Sequence, residues 1–141
     1  MSLTDSMHLR EQLRILERKL GVLGKGDLSC GGLTIAQCHA VVEIGRSKSI
    51  SLNVLAKLLD LDNSTMSRTV NNLVNSGLVV RDLNTKDRRF ITIRLTKNGI
   101  QVFESIEASM EVYFKNIFSQ IPENKREQVL ESLQVLLDAF H

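Results

Sequence analysis

Apolar positions along this chain change their period from element to element, and the changes divide it into segments. Near the start, Leu9, Leu13, Leu16, Leu20 and Leu23 recur at alternating steps of four and three. That spacing makes a narrow seam on a helix packed lengthwise against another, from its own chain or from a second subunit. It predicts a first helix over residues 5–23. Gly21, Gly24, Gly26, Gly31 and Gly32 then break the pattern and predict a loop. Thr34 and Gln37 have the spacing of a capping box, opening a second helix that runs to about Arg46. After a polar connection, Ser51 can cap a short helix whose apolar stripe is Leu52, Leu55, Ala56 and Leu59. Residues 59–62 are short enough to be a turn. Asp62 or Asn63 can cap the next helix, over residues 64–76, with Met66, Val70, Leu73 and Val74 facing inward.

Gly77 suits the left-handed position that ends such a helix. The period then falls to two. Residues 78–83 read as one strand and residues 90–95 as its partner, with Ile91, Ile93 and Leu95 alternating with Thr92 and Arg94. Helical spacing returns over residues 97–119, with Thr96 as the cap and Phe103, Ile106, Met110, Tyr113, Phe114 and Ile117 on one side. Pro122 sits where a last helix begins, and that helix carries Leu130, Leu133 and Leu137 among its apolar residues. The order helix, turn, helix, hairpin is that of a winged helix-turn-helix. The expected fold is therefore mainly α with a small β-hairpin wing, in one domain spanning residues 1–141. Within it, residues 33–97 form the winged-helix part, and residues 4–23 and 98–141 supply dimerisation helices.

The outward face of the 64–76 helix carries Ser64, Thr65, Ser67, Arg68, Thr69, Asn71, Asn72 and Asn75, with no carboxylate. Ordinary solvated faces mix Glu with Lys. A face of hydroxyls, amides and one arginine can donate to phosphates and read base edges, where a carboxylate would be repelled. Arg68 and Asn72 are the expected base contacts, and Ser64, Thr65, Ser67 and Arg88 the expected phosphate contacts. The hairpin turn, residues 84–89, is polar and basic, of the kind that can place an arginine in a narrow minor groove. Net charge sharpens the picture. Of an overall +2, residues 63–97 hold +5 and residues 98–141 hold −4, so nucleic acid is drawn to one part only.

Ser64-Thr65-Met66-Ser67-Arg68-Thr69-Val70, then Gly77-Leu78-Val79 with Arg81, then Asp87-Arg88-Arg89, then Leu95-Thr96 and Gly99, resembles the MarR family of bacterial winged-helix regulators. The resemblance covers residues 33–100. It implies a homodimer on palindromic double-stranded DNA, with a short strand near Ile50 pairing with the wing. It also implies that Asp87 orients Arg89 for insertion, that the first and the two last helices interlock between subunits, and that a small-molecule effector controls binding. The sequence departs from the family at Leu83-Asn84-Thr85, where an Asp-Pro is common.

Cys30, Cys38 and His39, with Glu43 one turn on, form a candidate thiol or soft-metal cluster. Adjacent helical side chains diverge by about 100°, so Cys38 and His39 do not readily share a ligand. A buried Cys38 beside a surface His39 is the simpler arrangement, and no metal or cofactor is assigned. No signal-like segment and no membrane-length apolar run occurs, which points to the cytoplasm, where a structural disulfide is not expected. No catalytic constellation or phosphate loop is present, so an enzyme is not expected. The reading is a DNA-binding transcriptional regulator, more a repressor than an activator. Its rivals are a thiol- or metal-responsive sensor using Cys30 and Cys38, and a winged-helix protein-interaction module.

Overall fold

The computed structural model describes residues 3–21, 32–83 and 91–140. They fall into two compact units, Met1–Ile106 and Glu107–His141. The first contains α1 (Leu3–Gly21), α2 (Ile35–Ser47), β1 (Ile50–Ser51), α3 (Leu52–Leu58), α4 (Asn63–Asn75), β2 (Val79–Leu83), β3 (Ile91–Leu95) and the first turns of α5 (Lys97–Gln120). The second holds the remainder of α5, a 3-10 turn (Glu123–Lys125) and α6 (Arg126–Asp138).

Caps set most helix boundaries. The Thr34 hydroxyl accepts from the Gln37 N–H at 3.1 Å while the Gln37 side chain accepts from the Thr34 N–H at 3.0 Å, completing the expected capping box. Ser51 Oγ accepts from the Val54 N–H at the start of α3. Both reader helices end in the same backbone motif. After α3, Asp60 takes φ 54°, with Asp60 N donating to Lys57 O and Leu61 N to Ala56 O. After α4, Gly77 takes φ 77°, with Gly77 N donating to Val74 O and Leu78 N to Leu73 O. These paired bonds close a Schellman motif each time and turn the chain sharply. Because the Leu78 N–H is used in the cap, β2 begins at Val79, one residue later than the sequence suggests.

The sheet is antiparallel in the order β1-β3-β2. β2 and β3 pair Val79 with Leu95, Arg81 with Ile93, and Leu83 with Ile91, while Ile50 of β1 pairs with Ile93. The short strand near Ile50, implied by resemblance alone, is thus present. The core lies where α2, α3, α4 and the sheet meet. Val41 and Ile44 of α2, Leu55 of α3, and Met66, Val70 and Leu73 of α4 are fully enclosed, with Val79 and Ile93 beneath them. Burying each such side chain contributes about 1.5–3 kcal/mol.

Other apolar surface is uncovered. Leu9, Leu16 and Leu20 of the α1 seam are exposed. In the second unit α6 has no buried residue, and Leu130, Leu133 and Leu137 face outward. There the α5–α6 corner is held by Arg126. Its guanidinium donates to the carbonyls of Ile121 and Ser119 at 3.0 and 3.3 Å and lies 5.4 Å from the centre of the Phe118 ring. Among the described residues, no helix is long and apolar enough to cross a membrane.

Candidate nucleic-acid interface

α4 opens at Asp62, which settles the choice between Asp62 and Asn63. Its Oδ1 accepts from the Thr65 N–H at 2.7 Å, and its Oδ2 accepts from the Thr65 hydroxyl at 3.0 Å. These hydrogen bonds, the backbone one first, favour the ionised carboxylate and hold Asp62 below the usual carboxylate range. Arg68 Nη2 in turn donates to Thr65 Oγ1 at 3.4 Å. A polar chain therefore runs from Asp62 through Thr65 to Arg68 along the first two turns.

The inward face of α4 holds Met66, Val70 and Leu73, three of the four residues the spacing predicts, while Val74, the fourth, is only half-buried. Thr69 corrects the expectation that placed it outward. It is buried, and its hydroxyl donates to the Thr65 carbonyl at 3.1 Å, one turn back. Its methyl suits the core and its hydroxyl stays satisfied within the helix. Ser64, Arg68, Asn71, Asn72 and Asn75 are exposed along one stripe, while Thr65 and Ser67 are half-buried at its edge. The structure thus brings Ser64, Thr65, Ser67, Arg68 and Asn72 onto one side of α4. Asp87, Arg88 and Arg89 lie outside the described residues.

Two features of this surface escape a reading of hydrophobic period alone. Arg81 of β2 donates through Nη2 to Asn71 Oδ1 of α4, tying the helix to the hairpin. On the other face of the hairpin, Arg94 and Asp82 form an ion pair at 2.6 Å. The signal for both was the strand register, since an alternating strand sets Arg81 and Asp82 on opposite faces.

In the other candidate cluster Cys38 is buried and His39 exposed, so the two side chains diverge as adjacent helical positions must. Cys38 is disulfide-bonded, which corrects the expectation that no structural disulfide forms. Its sulfur in that state is no thiolate and offers no ordinary metal ligand. Cys30, the chain's other cysteine, lies outside the described residues. Among the described residues no group of three or more His, Cys, Asp or Glu is arranged to hold a metal ion.

A three-stranded sheet with a paired hairpin behind two capped, tightly turned helices defines a winged helix-turn-helix protein. Residues 31–89 match the family model described as "MarR family". The "HTH-type transcriptional regulator BilQ" of Clostridium symbiosum is 26% identical over 112 residues, covering 79% of this chain and 78% of that protein. Two solved structures share the fold. The Staphylococcus aureus MepR–DNA complex superposes with a TM-score of 0.82 at 22% identity, covering 93% of this chain and 97% of that one. The PcaV transcriptional regulator of Streptomyces coelicolor, "in complex with its natural ligand", superposes at 0.81 with 17% identity, covering 100% and 99%. Residues 31–89 are thus similar to the MarR family, and the chain shares the winged helix-turn-helix fold of these solved structures.

Proposed function

We propose that the protein is a homodimeric repressor that binds a palindromic operator and releases it when a small effector binds. The observation that carries the reading is the exposed stripe of α4, where Ser64, Arg68, Asn71, Asn72 and Asn75 present donors and amides with no acid among them. Each subunit lays this stripe in a major groove. Arg68 and Asn72 face base edges, and Ser64, Thr65 and Ser67 meet the backbone. The wing follows into the neighbouring minor groove, Asp87 orienting Arg89, with Arg88 on a phosphate. Half-sites lie about one helical turn apart. The uncovered leucines of α1 and α6 support dimerisation, because they form apolar stripes that a lone chain leaves in water. Likeness to a regulator solved with its natural ligand supports an effector.

The test is fluorescence anisotropy on duplex DNA from just upstream of the protein's own gene, against a scrambled duplex, at several salt concentrations. Tight, salt-sensitive binding to the upstream DNA alone supports the reading. An absence of binding to either duplex at low salt contradicts it and favours a protein-interaction module.

A second reading has its own observation, the disulfide at Cys38. In it, thiol oxidation controls DNA occupancy. Adding a reductant to the same titration, with Cys38→Ser alongside, decides it. Equal affinities with and without reductant rule it out.

A further inference from the structure

We propose that Arg81, at the junction of α4 and the β2–β3 hairpin, is a phosphate anchor for the DNA strand that passes between recognition helix and wing. The inference rests on the DNA-binding reading above and adds a contact that the recognition stripe and the wing tip do not include.

The hairpin has two unlike faces. Strand alternation and register place Val79, Arg81 and Leu83 of β2 on one face with their partners Leu95, Ile93 and Ile91. Val79, Ile93 and Leu95 at its inner end are core residues. Arg81 lies just past them, and its bond to Asn71 shows that this face turns toward the exposed stripe of α4. Beyond it the cross-strand pair Leu83 and Ile91 is apolar yet exposed, 63% and 39%. The opposite face carries Asp82 and Arg94.

Charge separates the two arginines. Arg94 is matched by Asp82 at 2.6 Å, so that face of the hairpin carries no net charge from this pair. Among the described residues Arg81 is held by a neutral amide, which orients the guanidinium and leaves its positive charge whole. A guanidinium has five N–H donors, and the bond to Asn71 uses one nitrogen, so others remain for a phosphate. An exposed cation beside a polar helix stripe, with an apolar ledge outside it, fits a sugar-phosphate backbone. The cation meets the phosphate, and Leu83 with Ile91 meets the deoxyribose.

A phosphate contact acts on any duplex, so the probe is a labelled duplex of arbitrary sequence, about 30 base pairs long, titrated at several salt concentrations. R81Q is expected to weaken binding and to make the plot of log affinity against log salt shallower by about one unit for each subunit bound. R81K, which keeps the charge, is expected to retain the wild-type slope. The neutral exchange D82N/R94Q, which removes both charges from the other face, is expected to retain it too. Thermal unfolding of each variant checks the fold. The inference is overturned if R81Q keeps the wild-type slope, or if D82N/R94Q lowers it as much as R81Q does. A wild-type protein that shows no salt-dependent binding overturns the DNA-binding reading itself, a result distinct from either.

Discussion

The α-carbon of Gly99, in the first turn of α5, lies against the backbone carbonyl of Leu78, so close that a β-carbon there would fall on the oxygen. Thr96 builds this contact. Its N–H donates to the Leu78 carbonyl at 3.0 Å, its hydroxyl donates to the Gly77 carbonyl at 2.6 Å, and the same hydroxyl accepts from the Gly99 N–H at 3.0 Å. One side chain thus caps α5 and straps it to the corner that ends α4. The obstacle is backbone and cannot rotate away, so Gly99→Ala is expected to destabilise the protein by about 3 kcal/mol. Urea unfolding measures it. A loss under about 0.5 kcal/mol would mean that the corner yields freely.

Gly45 of α2 makes a softer version of the same contact. A β-carbon there would come within 2.5 Å of the Phe103 ring of α5. Here the obstacle is a half-buried side chain that can turn aside. Gly45→Ala is expected to cost about 1–2 kcal/mol, and Phe103→Leu in the same chain to recover part of it. A double-mutant cycle should give a coupling above about 0.5 kcal/mol, and strict additivity would show that the two residues do not meet.

The contrast between these glycines shows what the residue pattern could and could not reveal. Periods of 3.6 and two, with Thr34, Ser51, Asp62 and Gly77 as punctuation, were enough to place the helices and the hairpin, because local hydrogen bonding and one buried face decide them. The inward set of α4 was legible for the same reason. Gly99 was visible only as part of a family motif, since its role depends on a carbonyl 21 residues away in sequence. Thr69 misled because threonine counts as polar, although its hydroxyl can bond back along its own helix. Arg81 and Asn71 lie 10 residues apart, and only the fold brings them together.

Lys48 links α2 to β1 with φ 66° and ψ −48°, while Ser49 N donates to Ser47 O at 2.8 Å. This is a γ-turn on the positive-φ side, a strained conformation for any residue with a β-carbon. Lys48→Gly relieves the strain at some entropic cost and is expected to stabilise by about 1 kcal/mol. A variant less stable than the parent in urea would show the turn to be relaxed.

The Asp62 cap has a pH signature. Its carboxyl is held below the usual range in the folded state by bonds from Thr65. A depressed folded value means that the ionised form contributes stability in full above the unfolded value, about pH 4, and that the contribution fades as pH falls through the folded value. Asp62→Asn, which can still cap but does not titrate there, is expected to flatten the acid limb of the stability profile. Thermal midpoints compared between neutral and acidic pH report it. Parallel profiles for parent and variant would remove Asp62 as a contributor.

In the proposed function the exposed stripe of α4 reads base sequence, with Arg68 as a principal reader. The most direct measurement is selection of bound sequences from a random duplex library. The wild-type protein is predicted to enrich a two-fold symmetric site with half-sites about one helical turn apart. Arg68→Ala is predicted to lose preference at one position in each half-site, about 1–3 kcal/mol of discrimination, while the rest of the site persists. If the wild-type protein enriches no sequence, or if Arg68→Ala enriches the same site with undiminished preference, the stripe is not the reader.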